Sequence, residues 1–465
     1  MFLDILIYQV KRHRIKSMTM PNIKRVILFF GDILILYLSL WLTLFIRYGA
    51  NFDFNRWQRH FWPFTIIYFL WLIVFFIAGL YELTLARNNI NFYSTLFRGL
   101  IINAGLAIAF FYFIPYFGIT PKTNLFLNLA IFTLLFSGWR HLYNHFIKTS
   151  TLINNVLIIS KKGKNKEIKQ ISQIIKNNPQ LGYRVIKQIK PKEIQTPFDL
   201  LEMATQTNIK TIITAIDPHQ DSKLVQSLYQ CLPLKISFSD LPTFYEKILG
   251  KVPISSIGEI WFLENLTESQ KNFYEAIKRI LDMLGALISG IISLIFYPLI
   301  ISAIKIDSRG AIFYKQRRIS QDGQIFKVVK FRSMVEEAEK NGVQWADQQD
   351  HRITRVGNFL RKSRLDELPQ LWNILIGQMS FIGPRPERIE FVQQLEKEIP
   401  YYQIRHIVKP GLTGWAQVNF RYGASVKDSI EKLQYELYYI KHRSFVLDLS
   451  ILLRTIKIIL KGGGR

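Results

Sequence analysis

The sequence predicts a multi-domain membrane protein with a bundle of four N-terminal transmembrane helices, a central α/β module and a C-terminal α+β domain. Long apolar runs near the start of the chain, and basic residues gathered outside those runs, predict this class. The 465 residues carry 60 Lys and Arg against 34 Asp and Glu, a net charge of +26, and 14% of them are aromatic. That aromatic content excludes a mostly disordered basic chain. The single cysteine, Cys231, excludes a secreted domain built on disulfides.

Four segments within residues 1–149 are apolar enough to cross a bilayer, which takes about 20 apolar helical residues. They are residues 26–46, 61–81, the uncharged run 99–121, and 123–139. Asp32 interrupts the first; it is either a functional intramembrane carboxylate or, being close to Arg25, a group at the membrane interface. By the positive-inside rule, the basic residues before the first span place the N-terminus in the cytoplasm, and four crossings return the chain there. Those residues are Lys11, Arg12, Arg14, Lys16, Lys24 and Arg25.

Residues 150–265 form the predicted central module. Buried strands are expected at 155–160, 210–216 and 234–238, separated by helical stretches, and this alternation is typical of a Rossmann-like α/β fold. A dinucleotide site needs several glycines at the first turn, and only Gly163 is present there. A structural or regulatory module is therefore favoured over a dinucleotide-binding one.

A fifth apolar run, residues 283–304, opens the third domain, residues 266–465. Basic residues flank both of its ends, so a crossing would place one basic cluster on the wrong side of the membrane. Pro298 would break a helix within the run. These features favour a re-entrant helix at 280–304 that leaves the C-terminal domain in the cytoplasm. The alternative is a fifth span with a proline kink.

The adjacent acids Asp366 and Glu367 lie in the most basic part of this domain. Between residues 305 and 365, Lys and Arg outnumber Asp and Glu by 14 to 7. Pro369 is tolerated only in the first turn of a helix, so a helix over 368–376 would begin beside the two acids and favour their ionised forms. An ionised Asp can attack phosphorus, and Glu can hold Mg²⁺ together with phosphate oxygens. The alternative is that Asp366 merely caps the helix.

Five ordered motifs give this domain a family resemblance. From about residue 278 to the C-terminus the chain resembles the bacterial sugar transferases, which are polyprenol-phosphate hexose-1-phosphate transferases, also called monotopic phosphoglycosyl transferases. The four spans and the α/β module resemble the long form of that family. The motifs are KFRSM at 330–334, LRKSRLDELPQLWNIL at 360–375, MSFIGPRPE at 379–387, KPGLTGW at 409–415 and KLQYELYYI at 432–440.

The resemblance implies a two-step transfer on the cytoplasmic face of the bacterial inner membrane, opening exopolysaccharide, capsule or O-antigen synthesis. Asp366 would attack the sugar-bearing phosphate of a UDP-hexose and release UMP, with Glu367 binding Mg²⁺. Undecaprenyl phosphate would then take the sugar phosphate from the aspartate. UDP-glucose and UDP-galactose are the favoured donors, and an N-acetylated sugar stays open. The resemblance also implies phosphate-binding roles for Lys330, Arg332, Arg361 and Arg385, and a rigid loop formed by Pro384 and Pro386.

One position departs from the family pattern, in which a Ser often precedes the helix-breaking proline. Here Tyr297 precedes Pro298, and Ser293 or Ser302 would have to supply the missing hydroxyl. The helix expected at residues 445–460 is either core packing or an interfacial helix.

The partners expected are a UDP-hexose, undecaprenyl phosphate and the lipid bilayer. Nucleic acid is not expected as a partner, because no binding motif accompanies the charge. The spans and the α/β module offer surface for a homodimer. The competing hypothesis is a membrane-anchored scaffold or regulator of polysaccharide assembly in which Asp366 does no chemistry.

Overall fold

The structure, a computed structural model, describes residues 20–114, 122–147, 153–160, 165–216, 221–266, 271–336, 338, 350–420, 423 and 425–460. Its internal contacts group the chain into two compact units, Met1–Asp240 and Leu241–Arg465. Residues 241–265 thus fall in the second unit, whereas the sequence analysis attached them to the α/β module. The division into three functional domains at 149/150 and 265/266 stays a prediction. The basic residues between 11 and 16, and Gly163, lie outside the described part of the chain.

The first unit begins with four helices, each long and apolar enough to cross a membrane, which confirms the predicted bundle. They are α1 (Met20–Tyr48), α2 (Phe54–Ala78), α3 (Ile90–Phe113) and α4 (Lys122–Phe146). The third helix begins well before the uncharged run, because the Asn89 side chain accepts a hydrogen bond from the Phe92 backbone N–H and caps it there.

Aromatic side chains fill the bundle, including Phe64, Trp71 and Phe132, which are fully buried. Asp32 lies on the inner face of α1 and forms an ion pair of 2.5 Å with Arg140 of α4, both at most 1% exposed. A buried charge needs such a partner. The ion pair gives Asp32 a partner inside the helix bundle, and the choice between a functional carboxylate and a group at the membrane interface stays open.

A four-stranded parallel sheet with strand order β2-β1-β3-β4 follows the bundle. The strands are β1 (Asn154–Ile159), β2 (Tyr183–Ile189), β3 (Ile209–Thr214) and β4 (Ser237–Asp240), with helices α5 (Asn165–Asn177), α6 (Asp199–Gln206) and α7 (Ser222–Gln230) between them. Strand β2 was not predicted from the sequence. It is an edge strand, and the residues between its two ends are mostly exposed or half-buried, so few of them are apolar. The strand expected at 234–238 begins later, because Lys235 is in a left-handed turn (φ 54°).

The second unit opens with α8 (Leu241–Leu249), α9 (Glu259–Asn265), α10 (Asn272–Leu294) and α11 (Tyr297–Asp307). The last two helices bend by 61° at a short break. Pro298 is the second residue of α11, where its missing N–H is tolerated. At the break the Ser293 hydroxyl donates to the Gly290 carbonyl (2.7 Å). Ser302 is exposed, so of the two proposed substitutes Ser293 is the one at the break.

The rest of the second unit combines two small sheets with helices. An antiparallel pair, β5 (Phe313–Ile319) and β6 (Ile325–Phe331), precedes α12 (Arg355–Ser363), a 3₁₀ turn (Leu365–Glu367) and α13 (Gln370–Leu375). The parallel pair β7 (Ser380–Ile382) and β8 (Gly411–Thr413) flanks α14 (Ile389–Glu398) and the 3₁₀ segment Tyr402–Ile407. The chain then forms α15 (Trp415–Asn419), α16 (Val426–His442) and α17 (Phe445–Leu460).

The last helix, α17, has the bounds expected from its sequence. Its Ile451 is fully buried and packs with Ile382 and Tyr439. On other positions it leaves large apolar side chains exposed, such as Val446 (81%) and Leu460 (78%). One face of the helix is therefore buried in the unit, as expected for core packing. The exposed apolar face leaves the interpretation as an interfacial helix open.

Candidate active site

The two acids at the centre of the candidate site lie in the tight 3₁₀ turn between α12 and α13. The chain enters this turn through Arg364, which adopts the left-handed conformation (φ 62°) and ends α12. Both Asp366 (7% exposed) and Glu367 (6%) are buried there. The helix expected to begin at 368 begins at Gln370 and has only six residues, so its dipole contributes little to the acids.

Three cations surround the Glu367 carboxylate. Lys330 Nζ lies 3.2 Å and Arg385 Nη2 3.0 Å from Oε1, while Arg364 Nη1 lies 3.4 Å from Oε2. Burial by itself would raise the pKa of Glu367, but the charges of Lys330, Arg385 and Arg364 outweigh burial and hold this pKa below its usual range. Glu367 is therefore a fixed anion at neutral pH.

Asp366 has the opposite surroundings. None of the described residues hydrogen-bonds to its carboxylate. Burial, followed by the negative charge of Glu367, raises the pKa of Asp366 to about 6, against the opposing charges of Lys330, Arg361 and Arg385. The sequence predicted that the start of a helix would favour the ionised form of Asp366, but desolvation of the carboxylate outweighs that effect here. Asp366 is still mostly ionised at pH 7.

A buried asparagine, Asn373 of α13, ties the acids' helix to the strand that carries Lys330. Its side-chain amide donates to the Lys327 carbonyl (2.8 Å), and its oxygen accepts from the Val329 N–H (3.2 Å). Asn373 is 1% exposed, and a buried amide stays in place only when its groups are paired. This bridge fixes Lys330 relative to the turn.

Arg385 reaches Glu367 from a loop pinned against β8. Gly383 N donates to the Thr413 carbonyl (2.9 Å), and Gly411 N donates to the Pro384 carbonyl (2.8 Å). The two backbones approach so closely that a Cβ on Gly383 would lie 2.3 Å from the Lys409 carbonyl oxygen. This explains why the motifs around 383 and 411 both require glycine.

Pro384 and Pro386 lie on either side of Arg385 in this loop. The backbone carbonyl of each proline accepts a hydrogen bond. The Pro384 carbonyl accepts from the Gly411 N–H, and the Pro386 carbonyl accepts from Arg318 Nη1 (3.1 Å). Their fixed φ angles limit the conformations of the chain on both sides of Arg385.

Two of the predicted phosphate-binding arginines stand apart from Glu367. Arg361 Nε donates to the Ser333 hydroxyl (3.1 Å), and its charge acts on Asp366. Arg332 Nη2 donates to the carbonyl (2.7 Å) and the hydroxyl (3.0 Å) of Ser308, at the end of α11. The structure therefore brings Lys330 and Arg385 together on Glu367, places Arg361 near Asp366, and leaves Arg332 at a neighbouring position.

Sequence reasoning did not assign roles to Arg364 and Asn373. Both lie inside the longest family-like motif, at residues 360–375. Arg364 looked like one more member of a basic run, and Asn373 like one polar position on an apolar helix. Only the three-dimensional contacts distinguish them.

The donor set suits Mg²⁺ in a limited sense. The part of the chain that the structure describes has no group of three or more His, Cys, Asp or Glu able to hold a metal. Mg²⁺ commonly binds through one or two carboxylates plus substrate phosphates, and Asp366 and Glu367 could supply the carboxylates. The Glu367 carboxylate is, however, already paired with three cations.

Comparison with known proteins gives a consistent family. The bacterial sugar transferase family matches residues 273–462. The chain is 41% identical to a UDP-N-acetylgalactosamine-undecaprenyl-phosphate N-acetylgalactosaminephosphotransferase of Aeromonas hydrophila, over 51% of this chain and 55% of that protein.

Two other relatives align over more of their length, and both are named UDP-glucose:undecaprenyl-phosphate glucose-1-phosphate transferase. The protein of Xanthomonas campestris pv. campestris is 30% identical over 68% of each chain. That of Klebsiella pneumoniae is 27% identical over 96% of this chain and 97% of its own. The latter alignment spans the four helices and the α/β sheet as well as the C-terminal unit.

Proposed function

This chain belongs to the bacterial sugar transferase family and is a glycosylphosphotransferase, and on that premise we propose that it transfers a hexose-1-phosphate from a UDP-sugar to undecaprenyl phosphate. The observation that carries the proposal is the contrast between two adjacent buried carboxylates. Glu367 is held ionised by three cations, whereas Asp366 has no hydrogen-bond partner in the described chain and a raised pKa. Environments that separate two pKa values in this way assign different roles to two like groups.

In the first step an Asp366 carboxylate oxygen attacks the phosphorus that bears the sugar. A new P–O bond forms to Asp366, and the bond between this phosphorus and the bridging oxygen of the diphosphate breaks. UMP leaves with the bonding electrons, and the sugar phosphate remains on the aspartate as an acyl phosphate. Asp366 suits this task because its ionised carboxylate is partly desolvated and not engaged in hydrogen bonds.

In the second step a phosphate oxygen of undecaprenyl phosphate attacks the same phosphorus. The bond to Asp366 breaks, the carboxylate is regenerated, and the lipid leaves as a diphosphate-linked sugar. Lys330 and Arg385 stabilise negative charge on the transferring phosphoryl oxygens, and Arg361 adds positive charge beside Asp366.

When a diphosphate binds, Lys330 and Arg385 exchange their contacts with Glu367 for contacts with phosphate oxygens. Glu367, with Asp366 beside it, would then hold Mg²⁺, which supplies Lewis-acid stabilisation of the charge that develops on the leaving phosphate. Glu367 thus keeps the two cations ordered before the substrate arrives.

The bent pair α10 and α11 supports the proposed membrane arrangement. Exposed apolar side chains lie in α10, in the break and in α11, namely Ile291 (60%), Ile295 (73%) and Leu299 (72%). We place this pair in the cytoplasmic leaflet of the inner membrane as a re-entrant helix, with the catalytic unit on the cytoplasmic face. This position would bring a lipid phosphate and a soluble nucleotide sugar to one site, at the first membrane step of surface polysaccharide synthesis.

The donor sugar is the finer part of the proposal. The relatives of Xanthomonas campestris pv. campestris and Klebsiella pneumoniae are named for glucose, and the relative of Aeromonas hydrophila is named for N-acetylgalactosamine. UMP release should therefore be measured against UDP-glucose, UDP-galactose and UDP-N-acetylgalactosamine. Glucose or galactose is the expected donor, and a clear preference for the N-acetylated sugar would replace that expectation.

The chemistry is tested with membranes containing the full chain, undecaprenyl phosphate, Mg²⁺ and radiolabelled UDP-sugar. Asp366→Asn should abolish both UMP release and the labelled protein adduct. Unchanged formation of lipid-linked sugar phosphate by Asp366→Asn would favour the scaffold hypothesis instead.

A further inference from the structure

We propose that Arg405 and Glu436 are a positioning pair that holds Arg385 against Glu367 without touching substrate themselves. The inference rests on the proposed function, because it assigns these residues to the phosphoryl transfer centred on Asp366. Arg405 lies in the 3₁₀ segment Tyr402–Ile407, and Glu436 lies on α16.

The pair has a fork geometry. Arg405 Nε donates to Glu436 Oε2 (2.8 Å), and Arg405 Nη2 donates to Oε1 (2.7 Å). The remaining nitrogen, Nη1, donates to the Tyr402 hydroxyl (3.1 Å). Arg405 and Glu436 are 3% and 4% exposed, so the planar guanidinium is fixed on one side by Glu436 and on another by Tyr402.

Arg405 makes one further contact, which links this pair to the site. Its Nη2 also donates to the backbone carbonyl of Arg385 at 2.9 Å. The neighbouring carbonyls of Pro384 and Pro386 are held by Gly411 and Arg318. The contact from Arg405 is therefore directed at the residue whose side chain reaches the catalytic pair.

Arg385 needs such support because its side chain is one-third exposed. A partly exposed arginine loses rotamer entropy when it is confined to one arrangement. When its backbone is fixed, the Arg385 side chain has fewer conformations available and more often reaches Glu367. The same holds for the substrate phosphates that would take the place of Glu367. Buried ion pairs add little net stability compared with apolar packing, which favours a positioning role for this pair.

The arrangement predicts a particular kinetic consequence. In the proposed mechanism Arg385 stabilises charge on the transferring phosphoryl group, so an Arg385 that is no longer held in place should lower kcat and leave KM little changed. A packing defect unrelated to Arg385 would instead lower activity by the same factor whether or not Arg385 is present.

The experiment is a double-mutant cycle in the full chain, with kcat and KM for UMP release measured separately. Glu436→Gln should lower kcat/KM roughly tenfold, a size within ordinary coupling energies, and mainly through kcat. Arg385→Ala should lower kcat/KM at least as much. In the double variant Arg385→Ala/Glu436→Gln the two losses should not add, because the pair acts through Arg385.

A matched control is Glu431→Gln. Glu431 lies on the same helix as Glu436 and pairs with Lys251 instead of with Arg405, so its kcat and KM should match those of the wild type. Where Glu436→Gln does not accumulate as folded protein, Arg405→Lys serves instead; it keeps the charge, loses the two-pronged contact with Glu436, and should lower kcat to a smaller extent.

Additive losses in the double variant, or a loss confined to KM, would overturn the positioning role. That outcome is separate from failure of the proposed function, which would appear as wild-type activity that is absent or survives Asp366→Asn.

Discussion

Asp366 and Glu367 are neighbours in sequence and equally buried, yet their surroundings shift their pKa values in opposite directions. Three cations contact Glu367, and Asp366 has only more distant positive charges to offset burial. Residue identity alone therefore does not assign the two proposed roles, nucleophile for Asp366 and metal ligand for Glu367. The arrangement of Lys330, Arg364 and Arg385 does.

The raised pKa of Asp366 predicts an acid limb in the pH dependence of UMP release. In the proposed mechanism only ionised Asp366 attacks phosphorus, so kcat/KM should fall as the pH decreases through about 6. The measurement is kcat/KM at saturating undecaprenyl phosphate between pH 5 and pH 8. A limb near pH 4, the ordinary range for Asp, would contradict this account.

The same asymmetry predicts opposite effects on stability. Folding raises the pKa of Asp366 from an ordinary 3.8 to about 6, which corresponds to about 3 kcal/mol unfavourable to the ionised form. This penalty is absent when the pH is below the ordinary pKa of 3.8, and it is fully present above pH 6. Asp366→Asn should therefore raise the thermal midpoint at pH 8 and leave it unchanged near pH 3.5.

The control for this stability prediction is Glu367→Gln. Because folding lowers the pKa of Glu367, its ionised form stabilises the fold, and this variant should lower the midpoint at pH 8. Equal shifts of the same sign in both variants would contradict the prediction.

Cation binding should depend on the nucleotide. The site has more cationic side chains than its two carboxylates can neutralise: Lys330, Arg361, Arg364 and Arg385. We therefore expect the site to repel a divalent ion until a diphosphate adds negative charge. Mn²⁺, followed by electron paramagnetic resonance, should bind measurably with UDP present and scarcely without it. Tight Mn²⁺ binding to the nucleotide-free protein would contradict this expectation, and Glu367→Gln should weaken the binding seen with UDP.

At the scale of elements, the bend between α10 and α11 connects the sequence to the membrane arrangement. Pro298 cannot supply a backbone N–H inside a continuous helix and would cost about 3 kcal/mol or more there, so the chain bends by 61° at this point. Pro298→Ala removes that obstacle to a straight helix.

We expect Pro298→Ala to expose the C-terminus on the outer face in part of the population and to lower activity. Reporter fusions at residue 460, one active only in the cytoplasm and one only outside, would measure this fraction. Pro384→Ala, a proline change away from the bend, is the topology control and should leave the fusion results unchanged.

Elements with strong periodic signals were predictable, and elements set by tertiary contacts were not. The four apolar helices and α17 follow from uninterrupted or regularly spaced apolar residues. The edge strand β2 was missed because exposed positions such as Arg184 and Lys187 interrupt its pattern. In the site, the Asp366–Glu367 pair was visible in the motif, but the 3₁₀ turn that buries it depends on the left-handed Arg364.

At the scale of the whole molecule, the candidate site lies within one compact unit. Every residue that contacts Glu367 or holds Arg385 belongs to Leu241–Arg465, and the family match covers 273–462. The four N-terminal helices and the parallel sheet belong to the other unit.

A chain reduced to residues 241–465 should therefore retain UMP release in membranes, within about tenfold of the full-length kcat/KM. Matched variants of the short and the full chain carrying Asp366→Asn give the background. Complete loss of activity in a short chain that is folded and membrane-bound would show that the first unit contributes directly to catalysis.

The internal anion at Glu367 has a consequence for inhibitor design. In the free enzyme the cations that would grip an inhibitor's phosphate mimic are already neutralised by a carboxylate, so each such compound must displace that carboxylate. A neutral group in the same place would gain no electrostatic attraction from those cations. Compounds that carry a dianionic group together with their own bound metal would offer Glu367 a new partner in exchange, and should be the tighter ligands.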